Sequence, residues 1–408
     1  MKKILALALA LCMVFALCAC GGSTETTQPA DKTETTETTQ TTETTETTET
    51  TETTETTEAT TMKVAMVTDY GDITDQSFNQ TTYEACKEYC EANGIEFKYY
   101  KPGSDSNEDR ISSIEDAIDE GFNVIVMPGY AFAGAIVGTV ENYPDVTFIA
   151  LDVSEYDLQD AHGTADDFSW QYPANLYSAV YQEELCGYMA GYAAVKLGYK
   201  NLGFLGGMAV PAVVRYGYGF VQGADAAAAE LGLTDVTINY AYGNQFYGDA
   251  DITAAMDTWY ANGTEIVFAC GGGIFTSAGE AAAKVGGKVI GVDVDQAATI
   301  DGLYGEGMTV TSAMKGLAPT VKTMLAAVQN GTFEGGKVET LGLVSANPEE
   351  NYVQIPMTTQ FGEGFTEADY QALVASMYAG EITVNNDTTI SAADNATVVT
   401  VNDLGNLK

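Results

Sequence analysis

Basic side chains are scarce in this sequence. Seventeen lysines and arginines stand against 57 acids, a formal charge of −40, which excludes a nucleic-acid partner because such binders need a basic face to neutralise phosphates. Histidine is scarcer still: the only one, His162, sits among Asp160, Asp166 and Asp167, where a solvated loop is the expectation rather than a general base. Of seven cysteines, Cys12, Cys18 and Cys20 fall in the first twenty residues, and the other four do not make a disulfide scaffold. Cys86 and Cys90 lie at helical i, i+4 spacing, a core stripe rather than a metal site. Catalytic signatures are missing as well. No H-E-x-x-H, paired C-x-x-C, G-x-S-x-G or P-loop spacing occurs, and Gly271 to Thr276 lacks the third glycine of a dinucleotide fingerprint. Asp69, Asp72 and Asp75 do not follow the alternate-residue spacing of an EF-hand loop. Neither cofactor nor metal is therefore expected. What is present is a globular composition, 46% apolar and 18% charged over 408 residues. At about 150 residues per domain, that length allows two to three domains.

The N-terminus reads as an address and a tether. Lys2 and Lys3 precede an apolar run from Ile4 to Ala19, too short for a comfortable membrane span and typical of a secretion signal. The run ends Leu17-Cys18-Ala19-Cys20-Gly21-Gly22, which resembles the bacterial lipobox, whose cysteine is diacylated and becomes the new N-terminus. Cys20 is the lipidation candidate, and acyl chains there would hold the protein to the membrane; a plain secreted protein cut nearby is the alternative. Residues 21–61 repeat Thr-Thr-Glu with no large apolar side chain and cannot offset their conformational entropy by burial. Such a tether reaches roughly 35–40 Å or more. Ten acids and three lysines lie in residues 1–61, so residues 62–408 still carry −33.

Residues 62–408 read as two similar halves. Strand-like runs at 63–69, 97–100, 123–127 and 146–151 alternate with helical patterns, the first capped by Ser77 and stopped by Gly94, the next at about 108–120 and near 131–143. The pattern recurs with runs at 201–205, 236–240, 265–269 and 288–292 and helices at about 212–231, 252–261 and 278–285. Matching starts are Val64, Val124 and Val146 in one half and Leu202, Ile266 and Val289 in the other, with intervals of 60 and 22 against 64 and 23. This agreement predicts an α/β protein of two doubly wound, parallel-sheet lobes. Ligands in that architecture sit beyond the carboxyl ends of the strands. The strand ends carry Thr68 to Asn79 with three carboxylates, Pro128-Gly129-Tyr130, Asp152, Gly206-Gly207-Met208, Gly271 to Gly273, and Asp293 to Gln296. Glycines there let a ligand approach backbone N–H groups, although each acid could equally cap a turn.

Thr68 to Gln80, Phe204 to Pro211, Arg215 to Phe220 and Gly291 to Gln296 together resemble the basic membrane lipoprotein family, the PnrA/TmpC-like substrate-binding lipoproteins of ABC transporters, over about Met62 to Val384. The resemblance implies a type I periplasmic-binding-protein fold with three crossovers, near residues 175, 310 and 340. One lobe would be 62–175 plus about 310–340, the other 176–309 plus about 341–388, and 389–408 a C-terminal tail. It further implies a monomer, lipid-anchored outside the cytoplasm, that captures a nucleoside, purine by family habit, and delivers it to an ABC permease without making or breaking a bond. Carried over to this sequence, one base-stacking ring falls on Phe78, with Asn79 at the base edge and Asp69 in the same loop; Asp152 would also meet the base. The second ring falls on Phe246, with Tyr247 as a rival, and the ribose hydroxyls on Asp293 and Lys315. The sequence departs from relatives with Tyr70-Gly71 where two glycines are common. Independently of the family, two rings from opposite lobes suit a flat heterocycle, one carboxylate can accept from both hydroxyls of a diol, and the acidic surplus disfavours a phosphorylated ligand. Two other functions stay open: a sensor subunit for another small ligand such as a sugar or autoinducer, and a nucleoside hydrolase using the carboxylates with a metal.

Overall fold

A computed structural model describes residues 61–408; the signal, Cys20 and the tether lie outside the described residues. In order these residues form β1 (Lys63–Val67), α1 (Phe78–Asn93), β2 (Glu96–Tyr100), α2 (Asn107–Asp119), β3 (Val124–Pro128), α3 (Ala133–Thr139), β4 (Thr147–Leu151), α4 (Glu155–His162) and β5 (Leu176–Tyr181). There follow α5 (Glu183–Lys196), β6 (Asn201–Gly206), α6 (Pro211–Leu231), β7 (Thr237–Tyr242), α7 (Ala250–Ala261), β8 (Ile266–Cys270), α8 (Phe275–Val285), β9 (Lys288–Asp293), α9 (Ala297–Tyr304) and β10 (Thr309–Lys315). The chain closes with α10 (Leu317–Gln329), β11 (Lys337–Leu341), β12 (Val353–Gln354), α11 (Glu367–Tyr378) and β13 (Thr400–Asn406).

Two sheets result, ordered β11-β5-β4-β3-β1-β2 and β12-β10-β9-β8-β6-β7-β13. Only β12 runs antiparallel to its neighbour. The central strands, such as Val-Ile-Val-Met-Pro of β3 and Ile-Val-Phe-Ala-Cys of β8, are buried throughout, as strands covered by helices on both faces must be. The repeat read from the sequence is a repeat of register: Val64 pairs with Val124, and Leu202 with Ile266. The third starts are one residue off, since Thr147 pairs with Val124 and Lys288 with Ile266. Both sheets reverse strand order between their first and third strands, the position where open α/β sheets leave a crevice.

Two of the expected crossovers move by several residues. Residues 176–181 are the fifth strand of the first sheet and 309–315 the fifth strand of the second. The chain therefore passes between lobes at Gln182, at Gly316 and between β11 and β12, so the first two passes lie six or seven residues beyond the expected 175 and 310 while the third follows directly on the expected 340. The three passes are bonded to one another. Gln182 N donates to Leu341 O (2.9 Å), Gly316 N to Tyr352 O (2.7 Å) and Tyr352 N to Gly342 O (3.1 Å). A side chain at Gly342 would collide with Gln182, and one at Gly316 would press on Tyr352.

After the first pass, α5 lies against α6 of the second lobe. Their contact is tighter than ordinary helix packing permits. A Cβ at Gly187 would stand 2.2 Å from Tyr216 O, one at Gly191 2.1 Å from Phe220 O, one at Gly219 2.0 Å from Glu184 O and one at Gly223 2.0 Å from Tyr188 O. Each helix thus offers a G-x-x-x-G face to the other, and the close approach brings the N-terminal Glu183 of α5 beside Arg215 of α6.

Residues 389–408 are not a loose tail. Strand β13 pairs in parallel with β7, and Asp225 of α6 anchors its entry. One carboxylate oxygen accepts from the N–H groups of Thr397 (2.9 Å), Val398 (2.6 Å) and Val399 (2.9 Å), and the other accepts from Thr397 Oγ1 (2.8 Å). Burial opposes the charge on Asp225, but these donors outweigh it and hold the carboxyl below its ordinary range. The Asp225→Ala change strands those donors, so it should cost about 1–3 kcal/mol and speed amide exchange along 397–407, measured by hydrogen-exchange mass spectrometry; unchanged exchange there contradicts the anchoring role.

Candidate functional site

The cleft is built from strand ends. After β1, Asp69 turns its carboxylate back to accept from Tyr70 N and Gly71 N, both at 2.7 Å. Asp75 accepts from the N–H groups of Ser77 (3.0 Å), Asn79 (2.9 Å) and Gln80 (3.0 Å). That satisfies the first turn of α1, the duty expected of Ser77, whose side chain makes no capping bond. Its hydroxyl instead reaches across to the other lobe and donates to Asp293 Oδ2 at 2.6 Å. Asn79 is buried, gives its amide to Asp75 at 3.3 Å and leaves Oδ1 without a partner.

Asp152 and Asp293 occupy equivalent places, one at the end of β4 and one at the end of β9. Both have left-handed backbone, with φ of 62° and 65°, a conformation that costs free energy in a non-glycine residue and concentrates at functional sites. Between them stands Lys315, at the end of β10. Its ammonium pairs with Asp152, lies 3.3 Å from Glu183 Oε1 and 3.8 Å from Asp293 Oδ1, and faces the Phe78 ring at 4.8 Å. Glu183 is fully buried and also accepts from Arg215 Nε at 2.7 Å. Tyr216 donates to Asp293 Oδ1 at 3.3 Å.

All seven expected ligand-binding residues, Asp69, Phe78, Asn79, Asp152, Phe246, Asp293 and Lys315, line one cavity of about 500 Å³, within the range of small-molecule sites. Phe78 enters from the first lobe and Phe246 from the second. Gly207 and Gly271 give the Phe246 ring its room, since a Cβ at either would come within 2.4 Å and 2.9 Å of it. Tyr247 also lines the cavity but is 62% exposed at its rim. At the mouth, Tyr70 meets Met208 of the other lobe, hydroxyl to sulfur 3.4 Å. One expectation shifts: Asp152, assigned to the base, pairs directly with Lys315, assigned to the ribose, so both belong to the same end of the cavity. His162, expected in a loop, ends α4 exposed and stacked on Trp170 at 4.7 Å. Cys86 and Cys90 are buried free thiols of the core.

Ser77, read from the sequence as the cap of α1, bonds Asp293 across the cleft instead, and sequence reading left Glu183, Arg215 and Tyr216 without a role. The signal for the last three was the pair of G-x-x-x-G faces, which needs α5 to be assigned before it can be read.

Burial dominates the electrostatics. It pushes the carboxyls of Asp69 and Asp75 up, against the N–H groups they accept from. It pushes Asp152 up to about 6, opposed by Lys315. Glu184, beside the cluster, is pushed up to about 7 by the same cause. For Glu183 burial also raises, but Arg215 and Lys315 outweigh it and hold the carboxyl low. Burial would lower Lys315, yet Asp152, Glu183 and Asp293 outweigh it and drive its ammonium up.

The fold and cleft define a class: a two-lobed binding protein that closes on a small molecule. Comparison with known proteins narrows it. The sequence profile of the family described as ABC transporter substrate-binding protein PnrA-like, or Bmp, matches residues 62–388. The chain is 26% identical over 300 residues to the "ABC transporter nucleoside-binding protein BmpA" of Lactococcus lactis subsp. cremoris, covering 69% of this chain and 79% of that one. It is 25% identical over 348 residues to "Basic membrane protein A1" of Borrelia garinii subsp. bavariensis, covering 84% and 86%. Among solved structures, an ABC transporter solute-binding protein from Conexibacter woesei superposes with a TM-score of 0.61 at 22% identity, covering 80% of this chain and 99% of that one, a likeness of fold. The chain belongs to the PnrA-like, Bmp family of ABC transporter substrate-binding proteins. Its business is to bind a small molecule and present it to a transporter permease, not to catalyse, and proteins of this class work outside the cytoplasm.

The raised carboxyls set a pH dependence. Their folded values, about 6 for Asp152 and about 7 for Glu184, lie above their ordinary values of 3.8 and 4.5. The folded state therefore binds more protons, and the stability from these groups is full below the ordinary values and lost as pH rises through 6 to 7. Thermal denaturation should show Tm rising as pH falls from about 8 to about 5, with a smaller rise in Asp152→Asn; a flat or falling Tm in the parent contradicts this account.

Proposed function

We propose that the protein captures a nucleoside, a purine nucleoside first of all, and hands it to its permease while acyl chains on Cys20 hold it, as a monomer, to the outer face of the cell membrane. The observation that carries the reading is the pair of aromatic rings, Phe78 and Phe246, entering one cavity from opposite lobes with three acids and a lysine gathered at its inner end. A base fits between such rings, each aromatic pair adding roughly 0.5–1.5 kcal/mol beyond area burial. The unpartnered Oδ1 of buried Asn79 offers an acceptor to an exocyclic amine or ring N–H of a base. Asp293 accepts from Ser77 and Tyr216, the arrangement two ribose hydroxyls would take over in charge-assisted bonds. The name of the Lactococcus relative, a nucleoside-binding protein, points the same way.

Closure follows from the same contacts. Ser77 with Asp293, Gln76 O with Gln296 Nε2 (3.0 Å), and Asp152 with Lys315 all join one lobe to the other. A ligand that touches Phe78, Phe246 and Asp293 together favours the closed arrangement by its differential affinity for it.

Isothermal titration with inosine, adenosine and guanosine tests the reading. Phe78→Ala should weaken binding more than tenfold, roughly the loss of one stacked aromatic face; unchanged affinity removes the sandwich. In the same assay Asp293→Asn should weaken nucleosides more than free bases, and equal losses for both count against a ribose contact.

A further inference from the structure

The family match ends at residue 388, yet the residues beyond it build β13 and reach the loop that carries Phe246. We propose that this C-terminal segment is a positioning strap, with Lys408 as the residue that fixes the Phe246 loop from outside. The loop runs from the end of β7 to Asp249, the N-cap of α7. It needs holding, because Asn244 has left-handed backbone at φ 57° and Phe246 must stand over Gly207 and Gly271.

On the inner side the loop is fastened by backbone bonds along its course and by the Ser277 hydroxyl at its end, which accepts from Asp249 N (3.0 Å) and donates to Asp249 O (3.1 Å). Gly243 N donates to Gly206 O (2.7 Å), Asn244 N to Gly207 O (2.9 Å) and Gly273 N to Phe246 O (2.9 Å). The strap supplies the outer side. Leu407 N donates to Tyr242 O at 2.8 Å, where the loop begins. Lys408 Nζ donates to Gln245 Oε1 at 3.1 Å and pairs with the Asp249 carboxylate. Gln245 in turn donates to Tyr247 O (2.8 Å) and Asp249 Oδ2 (3.0 Å). One ammonium thus ties both flanks of Phe246 to the end of β13, whose entry is secured on α6 by Asp225. Gln245 lines the cavity beside Phe246, so the tie reaches the binding surface within one residue. Lys408 does not itself line the cavity; it acts through the loop.

The ion pair is partly exposed, 28% on each side chain, so a modest effect on affinity is expected, roughly threefold. That effect rests on the proposed stacking role of Phe246; the tie between strap and loop does not. The experiment therefore carries two readouts on the full chain. Hydrogen-exchange mass spectrometry of peptides covering 242–249, without ligand, should show faster exchange in Lys408→Met and in a chain lacking residues 407–408, with Lys408→Arg restoring protection. Calorimetry with inosine should show the threefold loss in Lys408→Met, rescue in Lys408→Arg, and no added loss from Lys408→Met in a Phe246→Leu background, since residues acting through one group are not additive. Exchange that is unchanged in both the substitution and the truncation overturns the strap. Losses from Lys408→Met and Phe246→Leu that simply multiply overturn its action through Phe246. A parent chain that binds no nucleoside defeats the stacking reading, while exchange still decides the strap.

Discussion

The buried ammonium of Lys315 constrains everything around it. A positive charge with a side chain 3% exposed cannot persist without carboxylates in contact, because desolvation of a lone ion costs several kcal/mol. The three that surround it come from three directions. Asp152 comes from the first lobe, Glu183 from the first residue of α5, just past a crossover, and Asp293 from the second lobe. Lys315 itself is the residue before the second crossover, Gly316. The ion cluster and the hinge are therefore one structure. Removing Lys315 leaves three carboxylates in low dielectric with their shared cation gone, a loss of about 3–5 kcal/mol for a broken buried pair.

The duplicated plan explains how such a cluster can sit between lobes. Each sheet ends its relevant strand with an aspartate in left-handed conformation, Asp152 on β4 and Asp293 on β9, so two copies of one local solution face each other across the cleft. Lys315 continues the second copy, and its counterpart after β5 in the first is the stretch that leads to Glu183. The α1 entrance shows a similar division of labour. Asp75 takes over the cap of α1 and frees Ser77 to bond Asp293, so the polar run from Asp75 to Asn79 does local, inter-lobe and cavity work within five residues.

Local pattern was enough for the strands that open each lobe and not for the hinge. β1, β3 and β8 are apolar, β-branched runs and β6 a Leu- and Phe-bearing one; their spacing repeats, and register followed from that spacing. β5 is Leu-Tyr-Ser-Ala-Val-Tyr, with buried Ser178 and two tyrosines, and its place depends on pairing with β4 and with β11, far along the chain. Glu183 looks like any surface acid at a helix start. Its burial is set by Arg215 and Lys315, 32 and 132 positions away, and by four glycines that matter only once α5 and α6 are laid together. β13 has few apolar residues and is exposed almost throughout, so no periodicity marks it; a carboxylate in an alanine-rich helix and a lysine at position 408 hold it in place. Family resemblance gathered the cavity residues, Asp152 for the base and Lys315 for the ribose, but gave no sign that these two pair with each other, because pairwise motif matching carries no information on which side chains touch.

Charge balance in the cleft bears on what it can hold. Among the described residues lining the cavity, Lys315 is the one cation, facing Asp69, Asp72, Asp75, Asp105, Asp152 and Asp293. Its charge is already shared by three acids, so an incoming phosphate would meet carboxylates with no free positive partner, and the −33 on the folded part would repel it before entry. A ligand rich in hydroxyl and amine donors meets the opposite condition, since ionised carboxylates only accept. Asp293 accepts from Ser77 and Tyr216, and the buried Asn79 keeps an Oδ1 with nothing bonded to it. The site is thus arranged to receive donors on a neutral molecule, which favours the nucleoside of our proposal over its phosphorylated forms, and makes acidity of the cleft a filter for charge as much as a set of contacts.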